Sequence, residues 1–438
     1  MTWKRIEYTG WGRALTAESE IARPERLSSL TKLLAEAPGP AIGNCRSYGD
    51  ACLNDGGRAL QMTRLDRYLA FDPETGILHV EAGATIGDIA RDFAPREWLP
   101  AVMPGTGFAT VGGCIANDVH GKNHHIHGSF GQHLASITLM TPKGKKKITP
   151  ERNAALFKAT VGGMGQTGVI TSAELKMMAC KGDIITVTER RAEDWDEHLT
   201  LLDNSRATYT VGWIDATAKG AALGRGIVEE AETGLGLVPP RKKAKSVPFD
   251  APGFALSSPV VKLFNTAYYR RVPDRGRTLV KPITDFFFPL DRIHDWNRLY
   301  GKAGFHQFQC VVPLASAPEL KEMLELIAKA GLASPLAVLK RMGKGRAGYM
   351  SFPMEGYTLA VDFPNRGRAA QVIAELEKMC AAAGGRVYLA KDSLATAASV
   401  AKMYPELPDY AAAVAKADPE GIFTTDLVRR LNLRGGAA

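Results

Sequence analysis

The chain has 438 residues, of which 45% are hydrophobic and 23% charged, with a formal net charge of +9. That length and apolar content exclude a disordered chain and leave room for two domains, each with its own core. The N-terminus is polar and charged from the start and no apolar run approaches a membrane span, so the expectation is a cytoplasmic protein without signal peptide or transmembrane segment.

Nucleic acid is not the expected partner of the positive charge, because the basic residues are scattered and no nucleic-acid-binding motif accompanies them. The cysteines (Cys45, Cys52, Cys114, Cys180, Cys310, Cys380) form no CxxC pair, which argues for free thiols in a reducing compartment.

Taken in chain order, AIGNCRSYGDACLN from Ala41 begins as a strand and breaks into a glycine-containing turn. Residues 59–94 read as two strands joined by DPETG, then a helix opening near Thr85. A glycine-rich run follows, MPGTGFATVGGCIANDVHGKNHHIHGSF from Met103 to Phe130. Gly105, Gly107, Gly112 and Gly113 let the backbone approach a bulky anionic ligand, the pattern of a phosphate-bearing cofactor site. Lys143 to Lys147 (KGKKK) reads as a solvated hairpin turn. Gly163 to Gly168 matches GxGxxG, but Val169 to Met177 read as strand, whereas the dinucleotide fingerprint must open a helix.

Beyond Cys180 the character changes. Strand-like YTVGWIDA, FHQFQCVVP and GYTLAVDFP are separated by helical APELKEMLELIAKAG and NRGRAAQVIAELEKMCAAAGG, the pattern of an α+β domain with an antiparallel sheet. Between them, residues 234–277 mix proline, aromatics and cations, including the run Arg241 to Lys245, without clear periodicity. Such a segment reads either as a lid suited to an anionic, greasy substrate at an anionic membrane or as a surface loop without a ligand role.

Five of the nine histidines, His120, His124, His125, His127 and His133, fall within fourteen residues. No second patch of metal ligands accompanies them, so no metal is expected. Holding the loop by hydrogen bonds is the role expected of His124 and His125.

Taken together, AIGNCRSYGDA, PGTGFATVGGCIANDVHG and GGMGQTGVI resemble the FAD-binding segments of the vanillyl-alcohol-oxidase-type flavoproteins. HGKNHH with GSFG, SFP..GY...VDFP, YLAKDS and DPEGIFTTDLVRRLNL resemble the decaprenylphosphoryl-β-D-ribose 2-oxidase family within it, over nearly the whole chain. The resemblance implies a two-domain α+β flavoprotein: an FAD-binding domain of residues 1–177 with 387–438, and an antiparallel-sheet substrate domain of residues 178–386. It implies cofactor contacts from Ala41, Ile42, Gly43, Asn44, Cys45, Arg46, Ser47, Tyr48, Gly49, Asp50 and Ala51, with the pyrophosphate against this turn. Further contacts are implied for Gly105, Thr110, Val111, Gly112, Gly113, Asn117, Asp118, Val119 and His120, for Gly168, Val169 and Ile170, and for Tyr388. Many flavoproteins of the superfamily attach FAD through a histidine in G-x-x-H-S; here Gly43-Asn44-Cys45-Arg46-Ser47 offers an arginine, so FAD is expected to be non-covalent.

The same resemblance implies that Lys391 sits at flavin and substrate as the base or charge stabiliser, with His120 and Lys122 near the flavin edge. A desolvated lysine suits that work, because burial lowers its pKa toward neutrality. Substrate contacts are implied for Lys122, Lys340, Lys391, Trp213, Phe287, Gln307, Gln309, Met342, Thr358 and Ala360. Gln307 and Gln309 alternate with Phe308, which places both amides on one strand face. The family member known to react with covalent inhibitors carries a cysteine where Ala360 stands, and Thr358, Phe287 and Met342 also depart from the family.

The expected function is FAD-dependent oxidation of the 2-hydroxyl of a polyprenyl-phosphoryl-β-D-ribose to the 2-keto sugar. This is the first half of epimerisation to the arabinose form for cell-envelope arabinan, completed by a short-chain NAD(P)H-dependent reductase as pathway partner. Peripheral contact with an anionic membrane stays open. So do an aldonolactone or alditol oxidase acting on a small soluble sugar and a basic binding protein without turnover.

Overall fold

A computed structural model describes residues 3–239 and 243–435. Three main sheets follow one another along the chain. The first runs in the order Lys4–Thr9, Thr16–Ala22, Arg58–Gln61, Ala41–Ile42, with the helix Leu27–Glu36 turning Leu30, Leu33 and Leu34 inward against it. The second has the order Tyr68–Asp72, Ile77–Glu81, Val169–Ala179, Leu134–Thr141, Gly144–Ile148, and Trp98–Pro100 also pairs with Val169–Ala179. The helix Ile86–Phe93 opens where expected, with the Thr85 side chain accepting from the Asp88 amide.

The third sheet has eight strands, ordered Arg277–Pro282, Ile184–Ala192, Gly226–Gly234, Tyr209–Ile214, Ala337–Met342, Gly356–Pro364, Phe305–Val312, Arg386–Val387. All its pairings are antiparallel, as the α+β reading requires. Its two faces differ because side chains alternate along a strand. Phe308, Cys310, Leu339, Leu359 and Val361 point to one side and form a core with Leu320, Leu324 and Leu376 of the helices Ala317–Ala330 and Ala369–Ala382. Pro318 in the first turn and Gly331 in the left-handed region just past the end delimit the first of these helices.

The C-terminal segment returns to the N-terminal sheets. Tyr410 donates to the Gly163 carbonyl at 2.9 Å, and the Asp426 amide donates to the Leu53 carbonyl at 2.9 Å. The six cysteines are free.

Two expectations need correction. Lys145, Lys146 and Lys147 do not stay in a turn: they extend along Gly144–Ile148, an edge strand of the second sheet. Pro142 and Lys143 alone make the turn, helped by Gly144 at φ +119°. Exposed lysines on an edge discourage pairing with another chain. Residues 234–277 are not irregular throughout either. They contain the thirteen-residue helix Ser258–Arg270, with Pro259 in its first turn. Its apolar residues occupy two stripes, which hides the single-stripe signature that marks a helix. Arg241 and Lys242 of the basic run lie outside the described residues.

Candidate active site

A cavity of about 520 Å³ lies between the glycine turns and the free face of the eight-stranded sheet. Register explains its back wall. Gln309 pairs with Ala360, Ala360 with Val338, Val338 with Trp213, and Trp213 with Ile227, so one cross-strand row faces the cavity over five strands. Lys340 pairs with Thr358 one row further along.

The opposite wall is the cradle expected of an anionic cofactor. The amides of Asn44, Cys45, Arg46 and Ser47 donate to no described group, and Cys45 sits at φ +50°. Successive free amides with one left-handed residue form a concave anion site. A Cβ on Gly105 or Gly165 would meet nothing within 4 Å, and one on Gly113 would meet only Thr110 Oγ1 at 3.1 Å, so these glycines leave open space along the wall. The buried Asn117 Oδ1, His120 Nδ1 and Arg46 Nε have no partner among the described residues. Free amides, open space and orphaned polar atoms together fit a long polar cofactor such as FAD. The Arg46 guanidinium lies 4.1 Å from the Trp11 ring and 4.5 Å from the Phe108 ring, stacked between them.

Three lysines converge on the cavity. Lys391 Nζ lies 3.3 Å from the Tyr48 ring centroid, and burial lowers its pKa to about 7 against the pull of Asp362. Burial likewise lowers Lys340 to about 7, and no described group pairs with its ammonium. Lys122 is lowered to about 8 by burial; it donates to the Phe286 carbonyl at 2.6 Å, lies 3.7 Å from the Phe286 ring and 4.0 Å from Glu229. Burial raises the Asp362 carboxyl, which accepts from Gln307 and, at 3.0 Å, from the Tyr300 hydroxyl.

His120 is buried against Tyr388, and its pKa is held well below the usual range by desolvation and then by Lys340. Its Nε2 is 3.1 Å from Gln309 Nε2, which lies 3.3 Å from Thr358 Oγ1. With the Gln309 amide donating, the imidazole is neutral and carries its proton on the unpartnered Nδ1. The other histidines hold the loop: His124 meets the Gly345 carbonyl at 3.1 Å, His125 that of Ala207 at 3.0 Å, and His133 that of His127 at 2.7 Å.

Most residues singled out in the sequence line this cavity, Trp213, Phe287, Gly168, Ile170 and Val119 among them. Six do not. Asp50 accepts two bonds from Arg430 at 2.7 Å, a tie between the first turn and the C-terminal segment. Gly49 instead lets that turn pass close to the Asp392 carbonyl. Val111 and Val169 are buried in the core. Asp118 accepts from Ser351 Oγ at 2.5 Å and the Gly131 amide at 2.8 Å, so it fastens loops together. Met342 lies on the cavity side of its strand but beyond the cavity's edge, where it clusters with Phe352 and Tyr388. Gly112 lines the wall, and its missing side chain lets the helix Val111–Ala116 approach Ala82, which a Cβ would meet at 3.1 Å.

Sequence reasoning missed Asp362, Glu229, Tyr268 and Asp291. Asp291 accepts from Thr106 Oγ1 at 2.8 Å and the Gly107 amide at 2.7 Å, fixing the second glycine turn. Alternation along GYTLAVDFP from Thr358 and Ala360 was a usable signal for Asp362, which follows on the same strand face; Glu229, Tyr268 and Asp291 carry no such signal.

Comparison with known proteins agrees with this division of the walls. The family described as FAD binding domain matches residues 22–149, and that described as D-arabinono-1,4-lactone oxidase matches residues 305–431. A decaprenylphosphoryl-β-D-ribose oxidase of Mycolicibacterium smegmatis is 35% identical, covering 99% of this chain and 98% of that protein. An uncharacterized protein from the mprA 5′ region of Streptomyces coelicolor is 32% identical over 80% of this chain and 100% of its own length. A D-lactate dehydrogenase of Anaerostipes hadrus is 25% identical over 39% of the chain and 37% of that protein. The free-amide cradle and the full-length relationship lead to one conclusion: the chain belongs to the family of the decaprenylphosphoryl-β-D-ribose oxidase and is an FAD-dependent oxidoreductase of the two-domain vanillyl-alcohol-oxidase type.

Proposed function

We propose that the protein oxidises the 2-hydroxyl of a polyprenyl-phosphoryl-β-D-ribose to the 2-keto sugar. The observation that carries this reading is the 35% identity to the Mycolicibacterium oxidase over 99% of the chain. The cavity's chemistry supports it: the buried Lys340 and Lys122 suit a sugar phosphate, and Lys391, lowered to about 7, is poised to take a hydroxyl proton near neutral pH. FAD, when bound, supplies the acceptor for the hydride that leaves C2. Lys391 takes the hydroxyl proton on Nζ. Lys340, with its unpaired ammonium, meets the phosphate or sugar, while Gln309 and Trp213 orient the ring. His120 stays neutral and positions the Gln309 amide.

On this reading a short-chain NAD(P)H-dependent reductase completes the conversion to the arabinose form, for cell-envelope arabinan. FAD is held without a covalent bond, Arg46 standing at the position of the superfamily's linking histidine; acid precipitation should leave the yellow colour in the supernatant. The D-arabinono-1,4-lactone oxidase match over residues 305–431 favours a second reading, oxidation of a small soluble lactone or alditol. Anaerobic mixing separates the two: polyprenyl-phosphoryl ribose is expected to bleach the flavin and free lactones or alditols to leave it oxidised, and the reverse pattern would overturn the proposal.

A further inference from the structure

The helix Ser258–Arg270 has two apolar stripes where a surface helix needs one. The inner stripe is accounted for: Val261 is 1% exposed and Tyr268 packs on Trp213, and between them the buried Asn265 Nδ2 donates to Asp215 Oδ1 at 2.7 Å. The outer stripe faces solvent. Val260, Leu263, Phe264 and Ala267 fall at i, i+3, i+4 and i+7, with Val260 44%, Leu263 74% and Phe264 50% exposed. Phe254, on the short turn Gly253–Leu256 just before the helix, is 72% exposed. The helix contains no acidic residue, and Lys262 and Arg270 are exposed beside the stripe.

We propose that this helix is a membrane-docking element that lays Val260, Leu263, Phe264 and Ala267 into the surface of an anionic lipid bilayer. An apolar stripe flanked by cations is the composition of a helix lying in the plane of a membrane interface. Charge decides the occupant. A second copy docked on the stripe would add its own Lys262 and Arg270 to a seam to which the helix contributes no acidic residue, whereas an anionic bilayer meets both with opposite charge.

The stripe also connects to the cavity. The Phe264 ring stacks on Tyr268 at 5.9 Å, and Tyr268 packs on Trp213 at 4.7 Å; the last two line the cavity wall. Resting on the proposed lipid-linked substrate, this aromatic path carries the polyprenyl chain from the bilayer while the sugar phosphate enters among the lysines.

Co-sedimentation of the FAD-loaded protein with phosphatidylglycerol–phosphatidylcholine vesicles tests the inference. The wild-type protein should pellet with these vesicles and not with pure phosphatidylcholine. Val260→Glu/Leu263→Glu should weaken that partition at least about tenfold, and Lys262→Gln by roughly fivefold. In both variants the flavin spectrum and bleaching by detergent-solubilised polyprenyl-phosphoryl ribose should be unchanged. No wild-type binding, or equal binding by the double variant, would overturn the docking role; so would a wild-type dimer in gel filtration that the double variant dissociates. Vesicle binding lost in the variants, with no bleaching by any lipid-linked ribose, would keep the docking role and sink the substrate reading. Bleaching without vesicle binding would do the opposite.

Discussion

The two faces of the eight-stranded sheet are made by the same strands from alternate residues, yet they have opposite chemistry. On one side Phe308, Cys310, Leu339, Leu359 and Val361 meet two helices in a mostly apolar core. On the other, Gln309, Thr358, Ala360, Lys340 and Trp213 face a cavity, and the Lys340 ammonium meets no partner among the described residues. Stability is concentrated on the first face and chemistry on the second. A buried unpaired lysine costs free energy, and the apolar face offsets it.

The sharpest way to break this division is to exchange effects between faces. Lys391→Ala should lower the rate of flavin reduction by about two to four orders of magnitude while FAD content and thermal midpoint hold; reduction at near wild-type rate would remove Lys391 from its role. Leu324→Ala, on the helical side, should do the reverse. Its side chain is fully buried, so the truncation should cost about 2–5 kcal/mol in denaturant unfolding and leave the reduction rate of the folded flavoprotein unchanged. If activity fell in proportion instead, the faces would not be independent.

A smaller effect is expected from pH. Lys391 accepts a proton only when neutral, and burial brings its pKa down to about 7. Flavin reduction should therefore rise as pH passes through about 7 and level off above it, in an anaerobic stopped-flow profile. A rate that falls with pH over that range would mean that the charged form is required, and Lys391 would then stabilise charge rather than take the proton.

How much of this was legible in the sequence follows from the same contrast. The cradle is local: Gly43 to Ser47 and Gly105 to Gly113 carry their conformational demands in adjacent residues, so the motif announces the site. The sheet wall is assembled from strands up to about 150 residues apart, from Gln309 back to Trp213 and Glu229 and forward to Asp362. Alternation shows that Gln307 and Gln309 share a face, and cannot show that Glu229 shares it too. Asp50 and Asp118 sit inside cofactor-like motifs, yet their carboxylates answer Arg430 and Ser351, distant partners that motif spacing does not reveal. The helix Ser258–Arg270 escaped for another reason, since its second apolar stripe blurs the period that identifies a helix.

The proposed reaction is loss of hydride from C2 of a lipid-linked ribose, in the cavity between the glycine cradle and the lysine-bearing sheet face. Its most direct measurement is single-turnover flavin bleaching, without oxygen, by polyprenyl-phosphoryl ribose carrying hydrogen or deuterium at C2. Bleaching with both, slower with deuterium, is the predicted result; equal rates with the two isotopes, with substrate binding and product release shown not to limit bleaching, or no bleaching at all, would contradict it.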